Sequence, residues 1–252
     1  MLENKIRSEF PFVSFEQTAS LDELKELLAD LLDKRKKQNI TEQVEEIKNY
    51  RQYNDIQDIY DKIGRKEIYD APLMMEWNTW RAVTMLDGGY IRPNLNFDDY
   101  GQPLSTAAGN MADIICDYGE YLVCVEVTMA SGQRQYEMEG EPVTRHLGKL
   151  KKASGKPCYC LFVAPDINEA CVAHFYMLHH LNLEYYGGKS TIIPLPISIF
   201  RKMLEDSYKA NYTPTPNHLR RFFEASNEYA STCESDKDWY EHIKEKALHW
   251  LE

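Results

Sequence analysis

Asp113 and Glu126 bracket a stretch, DIICDYGEYLVCVE, that otherwise reads as the interior of a β-sheet. Ile114, Ile115 and Cys116 precede a turn signal, Asp117-Tyr118-Gly119-Glu120, and residues 121–127 return as a second run rich in β-branched and aromatic side chains. A Gly-containing turn between two such runs predicts a hairpin. With Tyr118-Gly119 as a two-residue loop, Asp113 falls opposite Cys124. Side chains alternate faces along a strand, so Asp113 and Glu126 share a face as diagonal neighbours, their Cα atoms roughly 7–8 Å apart. Two carboxylates at that spacing can both reach one cation.

The second strand carries apolar residues on both faces, with Tyr121, Val123, Val125 and Val127 on one and Leu122 and Cys124 on the other. Such a strand is covered on both sides. An unpaired carboxylate there is costly and tends to protonate, and a second one beside it adds to the cost. A hard divalent cation relieves both, and Mg²⁺ is held by one or two carboxylates plus substrate phosphate. The alternative is a pair of acids at wet strand ends, solvated or matched by Arg.

The elements that must position these acids can be followed along the chain. Ser20-Leu21-Asp22-Glu23 is a capping box, and it opens a helix with an apolar stripe through Leu24, Leu28 and Leu31. Thr41 is an N-cap candidate for a second long helix reaching about Lys62. Pro72 fits the first turn of a third helix, PLMMEWNTWRAVTML, which ends at Asp87-Gly88-Gly89. A polar connection then leads to the hairpin. After it, GQRQYEMEGEPVTRHLGKLKKASG reads as helix, with Gly140 and Pro142 able to break it in two. A strand (PCYCLFVA), a helix from about Asn168 to His180, a strand (TIIPLP) and helices near 197–209, 215–230 and 235–251 complete the chain. Strands alternating with helices after an initial hairpin predict an α/β fold, a mixed sheet covered by helices. The expected division is a helical N-terminal extension over 1–70, a core over 71–200, and a helical C-terminal region over 201–252.

The 252 residues carry 40 Asp and Glu against 29 Lys and Arg, a net charge of −11. That balance argues against strong, unaided nucleic-acid binding, which needs Lys and Arg at phosphates. Basic groupings occur at Arg145, Lys149, Lys151, Lys152 and Lys156 and near 201 and 220, and each reads first as a solvated face. Six cysteines without zinc-ligand spacing read as buried thiols of a reduced, cytoplasmic protein. No apolar run approaches the ~20 residues that span a bilayer, and MLENKIRSEF lacks the apolar stretch of a signal peptide.

A longer string adds specificity. EWNTWRA (76–82), AGNMADI (108–114), CVEVT (124–128), RQYEMEGEPVTRH (134–146) and PCYCLFVA (157–164) occur in order. Together they resemble the catalytic domain of type IIS restriction and nicking endonucleases of the AlwI, MlyI, PleI and BstNBI group, within the PD-(D/E)xK superfamily. The likeness spans roughly residues 72–200. It implies a restriction-endonuclease-like fold and Mg²⁺-dependent hydrolysis of double-stranded DNA, with Mn²⁺ sharing the same ligand preferences. It also implies roles. Asp113, Glu126 and Glu139 match metal-binding acids, and Glu76 matches a further acid on the preceding helix. Arg145 and His146 match a closing Arg-His pair, with Arg145 meeting a phosphate and His146 near the reaction.

The chain departs from the wider superfamily at Thr128, where a Lys is usual. Arg134, at the start of the next segment, is the candidate replacement cation. His146 also has a plain reading as a core histidine, since Val143, His146, Leu147 and Leu150 repeat at helical spacing. Trp77, Trp80 and the Cys158/Cys160 pair read as packing residues. Only about 75 residues precede Glu76, and they read as acidic helices without a zinc finger or basic recognition helix. The resemblance therefore points to a small cleavage subunit that cuts one strand beside a larger recognition subunit in a restriction-modification system. An excised cleavage domain, an autonomous nuclease and a non-catalytic interaction subunit are the alternatives.

Overall fold

The structure, a computed structural model, describes residues 2–15, 20–86, 88–106, 109–210 and 214–252. Asp87 of the expected helix stop and Ala108 of the AGNMADI string lie outside the described residues. Among them, four helices come first: α1 (Leu2–Glu9), α2 (Leu21–Lys48), α3 (Tyr53–Gly64) and α4 (Ala71–Leu86). Three short strands follow, β1 (Tyr90–Pro93), β2 (Leu95–Phe97) and β3 (Pro103–Thr106), and then the hairpin β4 (Ile114–Asp117) and β5 (Leu122–Val127). The chain continues as α5 (Gly132–Ser154), β6 (Cys158–Ala164), α6 (Glu169–His180), β7 (Ile192–Pro196), α7 (Ile197–Lys209), α8 (Pro216–Ala230) and α9 (Asp236–Leu248).

The main sheet has the order β1-β4-β5-β6-β7. β1, β4 and β5 pair antiparallel, and β5, β6 and β7 pair parallel. It is a mixed sheet flanked by helices, with helical segments before and after, the restriction-endonuclease-like α/β architecture. The parallel half needs crossovers, which α5 and α6 provide. All six residues of β5 are buried. Each large apolar side chain so buried contributes about 1.5–3 kcal/mol, so β5 is a rigid rail for what it carries.

Several sequence expectations are corrected. The hairpin loop has four residues, 118–121, because Asp117 pairs with Leu122 and Ile114 with Val125. The backbone closes with Tyr118 N–H on the Tyr121 carbonyl. Continued by one residue, this register sets Asp113 across from Glu126 rather than Cys124. Because the slip is two residues, the shared face survives. Thr41 caps nothing: α2 runs through it, its hydroxyl bonding the Lys37 carbonyl at 2.9 Å, and α3 begins only at Tyr53. The Ser20 capping box is present as read, with both reciprocal bonds made. The polar connection after α4 contains strands β1, β2 and β3.

α5 is not broken at Gly140 or Pro142. An interior Pro costs roughly 3 kcal/mol. Fully buried Val143 and Leu147 just beyond it outweigh that cost, and the Thr144 hydroxyl bonds the Gly140 carbonyl at 2.8 Å. The C-terminal helices close on the rest of the chain: Tyr121 Oη donates to the Pro216 carbonyl at 2.6 Å, and Trp250 Nε1 to the Met203 carbonyl at 3.2 Å. Trp80 is fully buried and Trp77 nearly so, with the Arg81 guanidinium 4.3 Å over the Trp77 ring. Cys158 and Cys160 are buried free thiols.

Candidate active site

β4 and β5 deliver two carboxylates to the same place. The Asp113 carbonyl accepts the Asn94 N–H at 2.7 Å, and its carboxylate accepts the Val127 N–H at 2.7 Å. Asp113 is thus fastened to the chain leaving β1 on one side and to β5 on the other. Glu126 stands on β5 with 5% exposure, and its Oε1 lies 2.9 Å from His146 Nδ1 on α5. A cleft of about 630 Å³ opens over them. Glu76 from α4 and Glu139, Arg134 and His146 from α5 line the same cleft, so four acids, one cation and one imidazole come together.

The electrostatics follow from the crowding. Burial, then the charges of Asp113, Asp70 and Glu139, push Glu76 up to about 8. Burial pushes Asp113 up to about 7, against the Val127 hydrogen bond, with Glu139 adding to the rise. Burial and then the Asp113 charge hold Glu126 well above the usual carboxylate range. Glu139 is raised by burial, opposed by a hydrogen bond from Thr128. Burial and the cations Arg145 and Lys149 lower His146, so the ring is neutral at neutral pH. Its contact with Glu126 is therefore a hydrogen bond that orients the carboxyl group.

A divalent cation fits this donor set in a specific way. Among the described residues, no three His, Cys, Asp or Glu side chains stand close enough to cage a metal ion. Glu139 shares the cleft without completing a three-acid cage. Two facing carboxylates, short of positive charge, suit an ion that keeps waters and takes substrate oxygens as its remaining ligands.

Thr128, in the place of the usual Lys, ties β5 to α5: its hydroxyl accepts the Ala130 N–H at 3.0 Å and bonds Glu139. Arg134 is exposed at the cleft, its Nε against Met138 Sδ at 3.1 Å, and among the described residues it pairs with no carboxylate. Arg145 stands apart from the cleft lining. Its Nε meets Glu141 at 3.1 Å, and its Nη1 donates to the side chain of Asn110, which has φ of 72°. Lys149 holds the carbonyl of the same Asn110 at 3.1 Å. The two cations pin the turn that leads into Asp113.

Other cleft residues had no sequence signal. Asn94 and Ser131 line it, as do Met75, Met111, Met129 and Met138. Gln135 is fully buried on α5. Its Nε2 donates to the Ala130 and Asp166 carbonyls at 2.9 Å each, and its Oε1 accepts the Asn168 N–H at 2.8 Å. A buried Gln beside Arg134 was the one available hint, and sequence alone does not reveal its burial.

A mixed sheet with acids crossing from an antiparallel hairpin to its flanking helices defines a protein of restriction-endonuclease type. The AlwI restriction endonuclease family matches residues 2–203, and the chain belongs to that family. Among solved structures, the chain is similar to the small subunit (R.BspD6I2) of the heterodimeric restriction endonuclease R.BspD6I. The identity is 26%, covering 77% of this chain and 95% of that one, with a TM-score of 0.60. No curated protein matches the chain. Among the described residues, no helix is long and apolar enough to cross a membrane.

Proposed function

We propose that the chain hydrolyses phosphodiester bonds of double-stranded DNA with a divalent cation, Mg²⁺ or Mn²⁺. In this reading it is the small, strand-cleaving subunit of a heterodimeric type IIS restriction enzyme. The observation that carries the chemistry is the convergence of Glu76, Asp113, Glu126 and Glu139 on one cleft, all held above ordinary carboxylate values. Asp113 and Glu126 would hold the cation. When bound, it would neutralise charge at the phosphorus and lower the pKa of water.

The chain's own residues do the remaining work. His146 fixes the Glu126 carboxyl group at 2.9 Å. Glu76 and Glu139 face the cleft and can take the proton of the attacking water. As the water oxygen bonds to phosphorus, the bridging P–O bond breaks, and the released oxygen takes a proton from solvent. Arg134, paired with no carboxylate among the described residues, can meet the negative charge that develops on the phosphate. Arg145 is spoken for by Glu141 and Asn110, so its part is to brace the Asp113 turn rather than to bind phosphate.

Two facts support the small-subunit reading: the chain covers 95% of the R.BspD6I small subunit, and its net charge of −11 opposes unaided approach to DNA. The test is Mg²⁺- and Mn²⁺-dependent nicking of supercoiled DNA, by the chain alone and with a large subunit. Cleavage that needs the partner and is lost in Asp113→Asn supports the proposal. Cleavage unaffected by Asp113→Asn refutes it.

A further inference from the structure

Residues 142–165 contain no Asp or Glu, in a chain where acids outnumber bases by 40 to 29. The second half of α5 falls in this segment and carries Arg145, Lys149 and Lys152. Spacings of three, four and seven residues put Arg134, Met138, Glu141, Arg145, Lys149 and Lys152 on one helical face, with Glu141 paired to Arg145. The row begins at the cleft, where Arg134 and Met138 lie, and leads away from it past His146.

Among the described residues, no carboxylate pairs with Lys149 or Lys152 on the outer part of this row. Lys149 and Lys152 are exposed, and each ammonium rests on a backbone carbonyl, that of Asn110 at 3.1 Å and that of Tyr185 at 2.7 Å. These contacts steady the two heads and leave their positive charge facing outward. Lys156, just past the helix, is instead matched by Asp117 at 3.6 Å.

An aromatic ring is built in beside the row. The 3-10 turn Glu184–Tyr186 seats directly on α5, because Gly148 leaves room: a Cβ there would lie 2.9 Å from Tyr186 Cα. The seating places Tyr185, 68% exposed, with its ring 5.5 Å from the Lys152 ammonium. Fixed cations interleaved with an exposed ring suit a sugar-phosphate backbone.

We propose that Lys149, Lys152 and Tyr185 form a track that binds the backbone of substrate DNA to one side of the scissile phosphate. The proposal rests on the nuclease reading of the acid cleft. At 1.5 Å per helical residue, the two lysines stand ~15–20 Å along the axis from Glu139, or roughly four to six nucleotides along one strand. The track reads no sequence. It holds the duplex against α5 while a second subunit selects the site.

The test measures equilibrium binding of labelled duplexes of unrelated sequence to the full chain across a salt series. Asp113→Asn serves as background, so cleavage does not interfere. Adding Lys149→Ala and Lys152→Ala should weaken binding to every duplex by on the order of tenfold and lower the slope of log K against log salt by about two. Because Lys149 also holds Asn110, Lys152→Ala is tested alone and should lower the slope by about one. Lys202→Ala, on α7 and paired with Glu205, should change nothing. Unchanged affinity and slope in both lysine variants would overturn the track. So would absence of DNA binding by the background chain at low salt, or lysine variants that weaken only association with a second subunit. If the lysines leave binding unchanged while the wild-type chain cleaves with its partner, the track is wrong and the nuclease reading stands. If binding follows the lysines yet the wild-type chain with its partner cleaves nothing, the lysines remain a DNA-binding surface and the nuclease reading, with the track's place beside a scissile phosphate, falls.

Discussion

Asp113 is held in the folded chain at about 7, mainly by burial, against an ordinary value near 3.8. Between those limits the native state binds more protons than the unfolded state, so this group makes stability fall as pH rises from about 4 to about 7. Glu76, Glu126 and Glu139 shift in the same direction and add to the trend. Asn at 113 keeps an acceptor for Val127 N–H without a charge. Asp113→Asn should therefore be more stable than wild type by about 1–3 kcal/mol at pH 8 without metal, the gain vanishing near pH 4. Denaturant unfolding at the two pH values checks this, and equal stability at pH 8 would mean the carboxyl is not strained. A Mn²⁺ ion held as proposed would displace the same protons, so calorimetry in buffers of different ionisation enthalpy should show proton release and tighter binding from pH 6 to pH 8. Arg134→Ala should slow single-turnover cleavage on the order of 10²–10³-fold. A normal rate with weakened DNA affinity would make it a positioning cation. The acids were legible in the sequence because a carboxylate on a two-faced apolar strand is costly, and because the surrounding strings are specific. His146 was named through the resemblance beside a plain core reading, and what the sequence could not supply is its 2.9 Å contact with Glu126.

At the scale of elements, the hairpin was legible and its register was not. Tyr118-Gly119 looks like a two-residue turn, but the Tyr118 and Tyr121 rings stack at 4.9 Å and belong to a four-residue loop. β1, β2 and β3 went unread because they are three or four residues long, hold Pro93 and Pro103, and lie largely at exposed edges. Pro142 misled because local propensity was weighed without the buried Val143 and Leu147 that hold α5 straight. Gln135 links α5 to the loop after β5 and to the start of α6. Gln135→Leu would leave these part-buried backbone groups unmatched and bury no replacement partner, costing about 1–3 kcal/mol. It should also loosen the placement of Arg134 and Glu139. Equilibrium unfolding would show the first effect. The second should appear as a lower kcat at unchanged KM in the assembled enzyme, and an unchanged kcat would confine Gln135 to stability.

Across the whole molecule, charge and site pull in different directions. The chain's net charge of −11 repels DNA at long range, yet the acid cleft and the acid-free segment of α5 suit close contact with a phosphodiester backbone. The overall balance was plain in the sequence. What it hid was that Arg134, Arg145, Lys149 and Lys152 share one face of α5, which only the continuous helix reveals. The lone chain should bind DNA weakly, without useful sequence preference, and cut little at physiological salt. Efficient site-specific double-strand cleavage by the chain alone would mean that a recognition surface lies elsewhere in it. Tethering by a second subunit raises local concentration to the order of millimolar, which compensates for weak affinity. The central claim is that Asp113 and its neighbouring acids cut one strand within such an assembly. Strand-resolved cleavage of an end-labelled duplex, with the large subunit and Mg²⁺, compares the wild-type chain with Asp113→Asn. Wild type should cut both strands, and Asp113→Asn should cut only the strand the large subunit serves. Double-strand cleavage undiminished by Asp113→Asn would contradict the claim.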